Sequence, residues 1–273
     1  MTVDIPAMRT RLAAHTVIED LVDQRGATIR SPFDRLLGRS PLQGECLVWY
    51  HGAQGDIGLG AALAKLPAGW TVFHSLPVGA VRSEIAHFVV GPGGVFSITT
   101  QTPHGKSIWV FKRLLLVAGY PTSYLHDAEY EAERATRVLR KRMPHHGVVR
   151  PVIALVDPGE VVIREKPGEV KVLNARHLNS WLLRLPHILN PRELMQIVTL
   201  VDDPGTWGAM PQLNSRDVMA RFAALEAAMT VSRRRRVSWI SAGAAIVLAT
   251  VGVETLIVVH LVSAMLATVP RPF

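Results

Sequence analysis

The side chains that could carry out chemistry are few, and most of them lie close to one apolar run in the first half of the chain. Glu84 directly precedes this run, residues 85–90, which contains Ala86 and His87, and Asp56 lies upstream in a segment with helical spacing. Because side chains alternate along a strand, Glu84 shares a face with Ala86, while His87 points to the other face. We therefore expect His87 to be a packed or hydrogen-bonded core histidine. Asp56 is expected to lie near a helix start, where it interacts favourably with the helix dipole.

Several common catalytic and metal-binding patterns are missing from the sequence. The chain has one cysteine, Cys46, which excludes an internal disulfide and a cysteine-based zinc site. The histidines, including His104 and the pair His145-His146, have no metal-ligand spacing with acids or cysteine. Neither G-x-S-x-G nor H-E-x-x-H occurs. The Gly-Pro-Gly-Gly cluster at 91–94 lacks the lysine spacing of a phosphate-binding loop and is interpreted as a turn.

Apolar and β-branched runs predict a sheet. The runs 85–90 and 95–101 on either side of the Gly-Pro-Gly-Gly cluster indicate a hairpin of two core strands. Residues 70–76 alternate as a strand, and residues 148–156 form a continuous apolar run typical of a central strand covered on both faces. We expect all four segments to share one sheet. Further strands are predicted within 107–117, 161–164 and 170–173.

Segments with helical spacing are expected to cover this sheet. Residues 52–66 and 120–142 are the two longest before the C-terminal region, and their apolar stripes should pack against the strands. Shorter helices are predicted at 175–185 and 191–201, the second with proline at its start. The predicted fold class is α/β, with a mixed central sheet flanked by helices.

The order of several separated motifs resembles the nuclease-related domain (NERD) family over roughly residues 47–207. The segments that carry the resemblance are 49–56, 83–105, 119–121, 131–134, 149–152 and 204–207. The resemblance implies a restriction-endonuclease-like core. In such cores a helix acid, a strand acid and a Glu-x-Lys pair on the next strand hold Mg²⁺ beside the scissile phosphate.

The resemblance also implies that the catalytic site is degenerate. The helix acid falls on Asp56, but the strand acid falls on Ala86 and the Glu-x-Lys pair falls on Thr99 and Gln101, with His87 also retained. Glu84 is a possible substitute acid, although it lies about 6–7 Å further along the strand. No metal site or cofactor is therefore predicted. The alternative is an active Mg²⁺-dependent nuclease with rearranged ligands, Asp56 and Glu84, so whether the chain is an enzyme stays open.

The basic character of the chain suggests two kinds of partner. The formal net charge is +8 and the pI is about 10.1, but residues beyond Ser232 carry half of that charge. Within the predicted helix 120–142, one face carries a run of cations, which is either a solvated face or a contact for DNA or RNA. The cations are Arg134, Arg137, Arg140, Lys141 and Arg142.

The C-terminal region has the pattern of a membrane anchor. Four arginines precede residues 237–253, which contain no charge, and the apolar character resumes from 255 to 269. This pattern predicts one transmembrane helix, with Trp239 at the interface and the globular part on the cytoplasmic side. The arginines are Arg233, Arg234, Arg235 and Arg236.

The predicted organisation has four parts: an N-terminal arm (1–43), a nuclease-related domain (44–208), a connecting helix with its basic stop (209–236) and a transmembrane region (237–269). The expected function is that of a single-pass protein of the cytoplasmic membrane. Its degenerate domain would bind nucleic acid or a protein partner at the cytoplasmic face.

Overall fold

The computed structural model describes residues 7–25, 31–78, 84–144, 148–208 and 215–267. Some predicted features lie outside these residues. They are Ser83, the pair His145-His146, the parts 1–6 and 26–30 of the arm, the start of the connecting segment at 209–214, and residues 268–269 of the apolar tail.

Helices and strands follow one another in an α/β order. In chain order they are α1 (His15–Arg25), α2 (Pro32–Leu36), α3 (Glu45–Leu63), β1 (Thr71–Pro77), β2 (Glu84–Gly91), β3 (Gly94–Gln101), β4 (Ile108–Val110), β5 (Leu115–Val117), β6 (Tyr120–Thr122), α4 (Tyr124–Arg140), β7 (Arg150–Leu155), β8 (Val161–Ile163), β9 (Lys171–Asn174), α5 (Leu178–Leu183), α6 (Pro191–Asp202), α7 (Pro204–Trp207) and α8 (Ser215–Ala267). Short 3₁₀ turns occur at Met8–Thr10 and Ala175–His177.

The predicted sheet is confirmed. Five strands lie in the order β1-β2-β3-β7-β9, with β1, β2 and β3 antiparallel to one another and β7 and β9 continuing in parallel from β3. Strand β7 is enclosed by β3 and β9, and its residues from Pro151 to Leu155 are all buried. A smaller mixed sheet has the order β6-β5-β4-β8.

Helices cover both faces of the five-stranded sheet. On one face, Leu59 and Leu63 of α3 pack with Phe96 and Ile98 of β3, together with α5. On the other face, α4 and α6 pack around Phe88 and the neighbouring apolar residues of β1 and β2. The fold is therefore mixed α/β, with two mixed sheets flanked by helices.

Two predicted helix starts are wrong. Helix α3 begins at Glu45 rather than at 52. It directly follows Gly44, whose φ of +56° is outside the helical range and so prevents the helix from starting earlier. Helix α4 begins at Tyr124 rather than at 120, because residues 120–122 form β6 and Pro121 pairs with Leu116 at the edge of the small sheet.

The chain divides into two compact units. The first contains Met1–Arg25 and Gly44–Arg221, and the second contains Gly26–Gln43 and Phe222–Phe273. The predicted arm is thus shared: α1, with Ile18 and Leu21 buried, belongs to the first unit, and α2 belongs to the second.

The apolar C-terminal region is helical. The predicted connecting helix and the predicted membrane segment are both parts of α8, which is continuous from Ser215 to Ala267. In the described part of the chain, this is the one helix long and apolar enough to cross a membrane. Its apolar side chains from Val237 to Leu261 are exposed.

The hairpin between β2 and β3 depends on close packing at its turn. Gly91 pairs with Gly94, whose φ of +126° disfavours any side chain. Gly91 lies against Trp70, so that an added Cβ would collide with the indole ring. The guanidinium of Arg150 donates a hydrogen bond to the Gly93 carbonyl and lies 4.5 Å above the Phe96 ring.

Replacing Gly91 with alanine should destabilise the protein, because Trp70 would have to move out of its packed position. Overpacking of this kind costs about 1–3 kcal/mol. Gly58→Ala on α3 is the matched control: no atom lies within 4 Å of the added Cβ, and alanine is the better helix former by about 0.5–1 kcal/mol. Urea unfolding of the full chain in detergent measures both changes. Equal stability of Gly91→Ala and the parent would show that the turn is not packed as described.

Candidate functional site

Two histidines on neighbouring strands form the centre of the polar cluster in the five-stranded sheet. His74 of β1 pairs in register with His87 of β2, and their Nδ1 atoms lie 2.8 Å apart. Because two acceptors repel each other at that distance, one Nδ1 must carry a proton and donate to the other. Burial lowers the pKa of both rings, and the neighbouring His74 lowers that of His87 further, to about 3. Both histidines are therefore neutral at physiological pH.

The prediction that His87 is a core histidine is confirmed. Its side chain is fully buried. Its Nε2 atom has no hydrogen-bond partner among the described residues and lies 3.7 Å from Asp56 Oδ1, too far for a direct hydrogen bond.

Asp56 is held against the sheet by a close approach of α3. An added Cβ at Gly55 would lie 2.6 Å from Thr102 Cγ2, and one at Gly60 would lie 3.3 Å from the His74 ring. Glycine at these positions lets the helix come near enough to place Asp56 beside His87. The expected interaction of Asp56 with a helix start is wrong, since the carboxyl lies well inside α3, which begins at Glu45.

Burial changes the protonation of Asp56. Its side chain is 14% exposed, and burial raises the pKa of the carboxyl to about 7, against an opposing effect of the Thr100 hydroxyl. The negative charge of Glu84 raises this pKa further. At neutral pH a large fraction of Asp56 is therefore protonated and uncharged.

Glu131 is a second, partly buried acid of the cluster, and the sequence reasoning did not identify it as a site residue. It projects from α4, and its Oε2 accepts a hydrogen bond of 3.0 Å from the Thr99 hydroxyl. Burial raises its pKa to about 7, and the charges of Asp127, Asp56 and Glu84 contribute. A signal for it was available, because Glu131 follows Ala128 by three residues and precedes Ala135 by four, within the buried stripe of the helix.

Glu84 is hydrogen-bonded to helix α1. Its Oε2 accepts a hydrogen bond of 2.8 Å from Thr16 of α1. Burial raises the pKa of Glu84, while Thr16 and the charge of Arg11 lower it. The Arg11 Nε donates in turn to the Ser75 carbonyl, at 2.8 Å.

The structure brings the resemblance-derived positions together only in part. His87 of β2 pairs with Ile98 of β3, so Ala86 and Thr99 are the next two residues opposite each other on these antiparallel strands. Gln101 lies two residues after Thr99 and therefore on the same face of the sheet. These three positions lie on the α4 side of the sheet, where Glu131 contacts Thr99, whereas His87 and Asp56 lie on the α3 side. Within the described ranges, no group of three or more His, Cys, Asp or Glu side chains is arranged to hold a metal ion.

The predicted basic face lies on α4 and the residues that follow it. Arg137, Arg140, Lys141 and Arg142 are exposed. Arg134 donates a hydrogen bond of 2.8 Å to the Tyr130 hydroxyl and stacks near that ring. Tyr130, Arg134, Arg137, Val138 and Lys141 line a shallow depression of about 400 Å³.

Comparisons with known proteins leave the family open: no family model, no curated protein and no solved structure matches this chain.

The raised pKa of Asp56 predicts a pH dependence of stability. In the unfolded chain the carboxyl loses its proton near its ordinary value of 3.8, but in the folded protein it keeps the proton up to about pH 7. The folded state therefore binds more protons in this window, and the contribution of Asp56 to stability falls as pH rises from about 4 to 7. Asp56→Asn removes this loss, so the stability of the variant relative to the parent should rise across the window, by about 4 kcal/mol at most.

Urea unfolding at a series of pH values measures this difference. Both histidines are present in the parent and in the variant, so their own pH dependence largely cancels. Glu133→Gln, on the exposed side of α4, serves as the control and should differ from the parent by a constant amount. A constant difference for Asp56→Asn as well would contradict the buried, protonated carboxyl.

Proposed function

We propose that this chain is a membrane-anchored protein with a restriction-endonuclease-like core of the NERD type, whose metal-dependent hydrolytic site has degenerated and whose basic helix face binds nucleic acid. The observation that carries the proposal is the pairing of Thr99 with Glu131. A nuclease of this kind would have a carboxylate at position 99, ready to hold a metal ion. Here a hydroxyl occupies the position and donates to Glu131, a partly buried acid whose pKa burial raises to about 7, so that about half of it is protonated at neutral pH.

The arrangement of the sheet supports the core fold. Helix α3, strand β2 and strand β3, which carry the helix-acid, strand-acid and Glu-x-Lys positions, follow in the order of such a core and pack together, with Asp56 on the opposite face of the sheet from Ala86, Thr99 and Gln101. Strand β7 then continues the sheet in parallel with β3.

The electrostatics of the cluster support the loss of hydrolysis. Metal-assisted phosphodiester cleavage needs anionic ligands that hold the cation beside the phosphate, and a positive group near the developing charge. Ala86, Thr99 and Gln101 supply neither. Burial raises the pKa values of the nearby Asp56 and Glu131 to about 7, so each is about half protonated at neutral pH, and a protonated carboxyl is a poor ligand for Mg²⁺.

The exposed face of α4 supports binding of single-stranded nucleic acid. Its cations can neutralise backbone phosphates, and the Tyr130 ring, 45% exposed, lies among them as a surface on which a base can stack. The ion pair between Arg137 and Glu133 is long, at 3.9 Å, and both side chains are exposed, so it competes weakly with a phosphate.

The apolar segment of α8 supports the anchor. Arg233–Arg236 directly precede its uncharged part, and the enrichment of arginine on cytoplasmic flanks favours a globular domain inside the cell. The expected partners are thus the membrane and a single-stranded DNA or RNA, with a protein partner as the alternative for the same surface.

A second candidate function is an active nuclease with rearranged ligands. One observation favours it: Asp56, Glu84 and Glu131 are close enough for their charges to affect one another. A divalent cation entering this region would lower all three pKa values and draw the carboxylates together. Glu131 would then replace the acid that is missing at position 99.

The binding surface predicts a specific pattern of weakened affinity. Replacing Arg137 and Arg140 with glutamine should weaken binding of a fluorescent single-stranded oligonucleotide, measured by anisotropy with the full chain in detergent. If each arginine binds one phosphate, the slope of log K against log salt should become shallower by about 0.7 for each arginine replaced.

The control removes the same charge elsewhere. Lys65→Gln with Arg184→Gln changes exposed cations that follow α3 and α5, the helices on the opposite face of the sheet. This control should bind like the parent. Equally weakened binding in both double variants would indicate attraction by net charge alone, and no binding at low salt by the parent would remove nucleic acid as the partner.

A further inference from the structure

The short helix α2 is docked onto α8 at the point where the uncharged segment begins. The Trp239 indole N–H donates to the Leu36 carbonyl at 3.0 Å, and Arg235 Nη1 donates to the Arg35 carbonyl at 2.8 Å. The bond from Trp239 supplies a partner for the Leu36 carbonyl at the C-terminal end of α2, and the Arg35 carbonyl accepts from Arg235 in addition to the Gly38 backbone N–H at 3.4 Å. Helix α2 and the part of α8 from Phe222 onward belong to the second unit of the chain.

The contact between the two helices is close and specific. Gly38 has a φ of +66°, and a Cβ added there would lie 2.6 Å from the Arg236 backbone nitrogen. Ser232 is buried on the same side of α8, and the Ser40 hydroxyl lies 3.5 Å from Met229 Sδ. Residues 32–39 are therefore held at the level of Arg233–Arg236 and Trp239.

The docked segment presents apolar side chains to the outside. Phe33 is 64% exposed and Leu36 is 56% exposed, and their spacing of three residues places them on one side of α2. Trp239 is 54% exposed at the same level. The acid of α2, Asp34, is bound by Arg39 at 3.0 Å, so it does not offset the arginines of α8.

Cations lie at the same level, on the side of α8 that faces away from α2. Arg233 and Arg234, together with Thr230, Val237 and Ser238, line a depression of about 520 Å³ on α8. Guanidinium and hydroxyl groups are suitable donors for a phosphate diester, and aromatic residues are enriched at the depth of lipid headgroups.

We propose that residues 32–39, docked on α8, form an interfacial platform that inserts Phe33 and Leu36 among the headgroups of an anionic leaflet, with Arg233 and Arg234 binding phospholipid phosphates. The inference rests on the proposed membrane span of α8 and goes beyond it, because it assigns a lipid-binding surface to a segment outside the span. We assign lipid rather than protein as the partner of this surface, because the apolar side chains of α2 and the arginines of α8 lie at the level where the uncharged segment of α8 starts. Each arginine near an anionic surface should strengthen the attraction about five-fold.

Depth-dependent quenching tests the platform in the full chain. In a Cys46→Ser background, the variants Phe33→Cys, Leu248→Cys and Ala223→Cys are labelled with the environment-sensitive fluorophore NBD, and the protein is placed in vesicles of phosphatidylcholine and phosphatidylglycerol. All three native side chains are exposed, so the label fits each site, and Ala223 precedes Trp239 by about 24 Å along the same helix. The label at 33 should be quenched by lipids with a nitroxide near the headgroup, the label at 248 by deep nitroxides, and the label at 223 by neither.

The outcomes separate the platform from the anchor. Quenching at 248 without quenching at 33 would overturn the platform and leave the span standing. No quenching at 248 would overturn the span and the platform with it. An emission at 33 that is shifted to the blue but not quenched would show that protein, such as a second copy, covers Phe33, and would also refute the proposal.

The phosphate contacts have a separate readout. Electron paramagnetic resonance of spin-labelled lipids measures the preference of the protein for phosphatidylglycerol over phosphatidylcholine. Arg233→Gln with Arg234→Gln should reduce this preference several-fold. The matched double variant Arg137→Gln with Arg140→Gln, on α4, should leave it unchanged. An unchanged preference in the first variant would contradict the assignment of these arginines to lipid phosphate.

Discussion

The polar cluster depends on the close approach of α3 to the strands beneath it. Gly55 and Gly60 remove the side chains that would keep the helix away, and this brings Asp56 within 3.7 Å of the buried His87. His87 is fully buried and Asp56 is mostly buried, so a charge on either side chain is costly unless an opposite charge or several hydrogen bonds compensate. The low pKa of His87 and the high pKa of Asp56 are the two consequences: both groups avoid their charged forms.

The cost of a buried charge also applies to Glu131 on the other side of the sheet, where burial raises the pKa of the carboxyl. This cost limits the chemistry that the cluster can carry out. An intact metal-dependent nuclease meets the cost of buried carboxylates with its cation and its lysine. In the proposed degenerate core, the lysine position is Gln101 and the strand-acid position is Ala86, so neither a cation nor a lysine compensates the remaining acids, and their raised pKa values favour the neutral forms. Under the proposed function, Asp56 and Glu131 are structural remnants of a catalytic arrangement, and the exposed cations of α4 provide the surface that is left for function.

Much of the fold could be predicted from the sequence, since β-branched runs around the Gly-Pro-Gly-Gly turn specify the hairpin and strand alternation specifies that His87 faces the core. The environment of Asp56 could not be predicted, because it requires the correct start of α3. That start, at Glu45, depends on the backbone conformation of Gly44 rather than on apolar spacing. The pairing of His74 with His87 is set by strand register, a property of the folded sheet. The docking of α2 was likewise unpredictable, as a five-residue helix has almost no periodic signal and depends on contacts with α8.

A cleavage assay tests the loss of hydrolysis most directly. The full chain in detergent is incubated with single-stranded and double-stranded DNA and RNA in the presence of Mg²⁺ or Mn²⁺, beside the variants Asp56→Asn and Glu131→Gln. The degenerate site predicts no cleavage by the parent above the level seen with either variant. Cleavage by the parent that is abolished in both Asp56→Asn and Glu131→Gln would contradict the account and establish a nuclease with rearranged ligands.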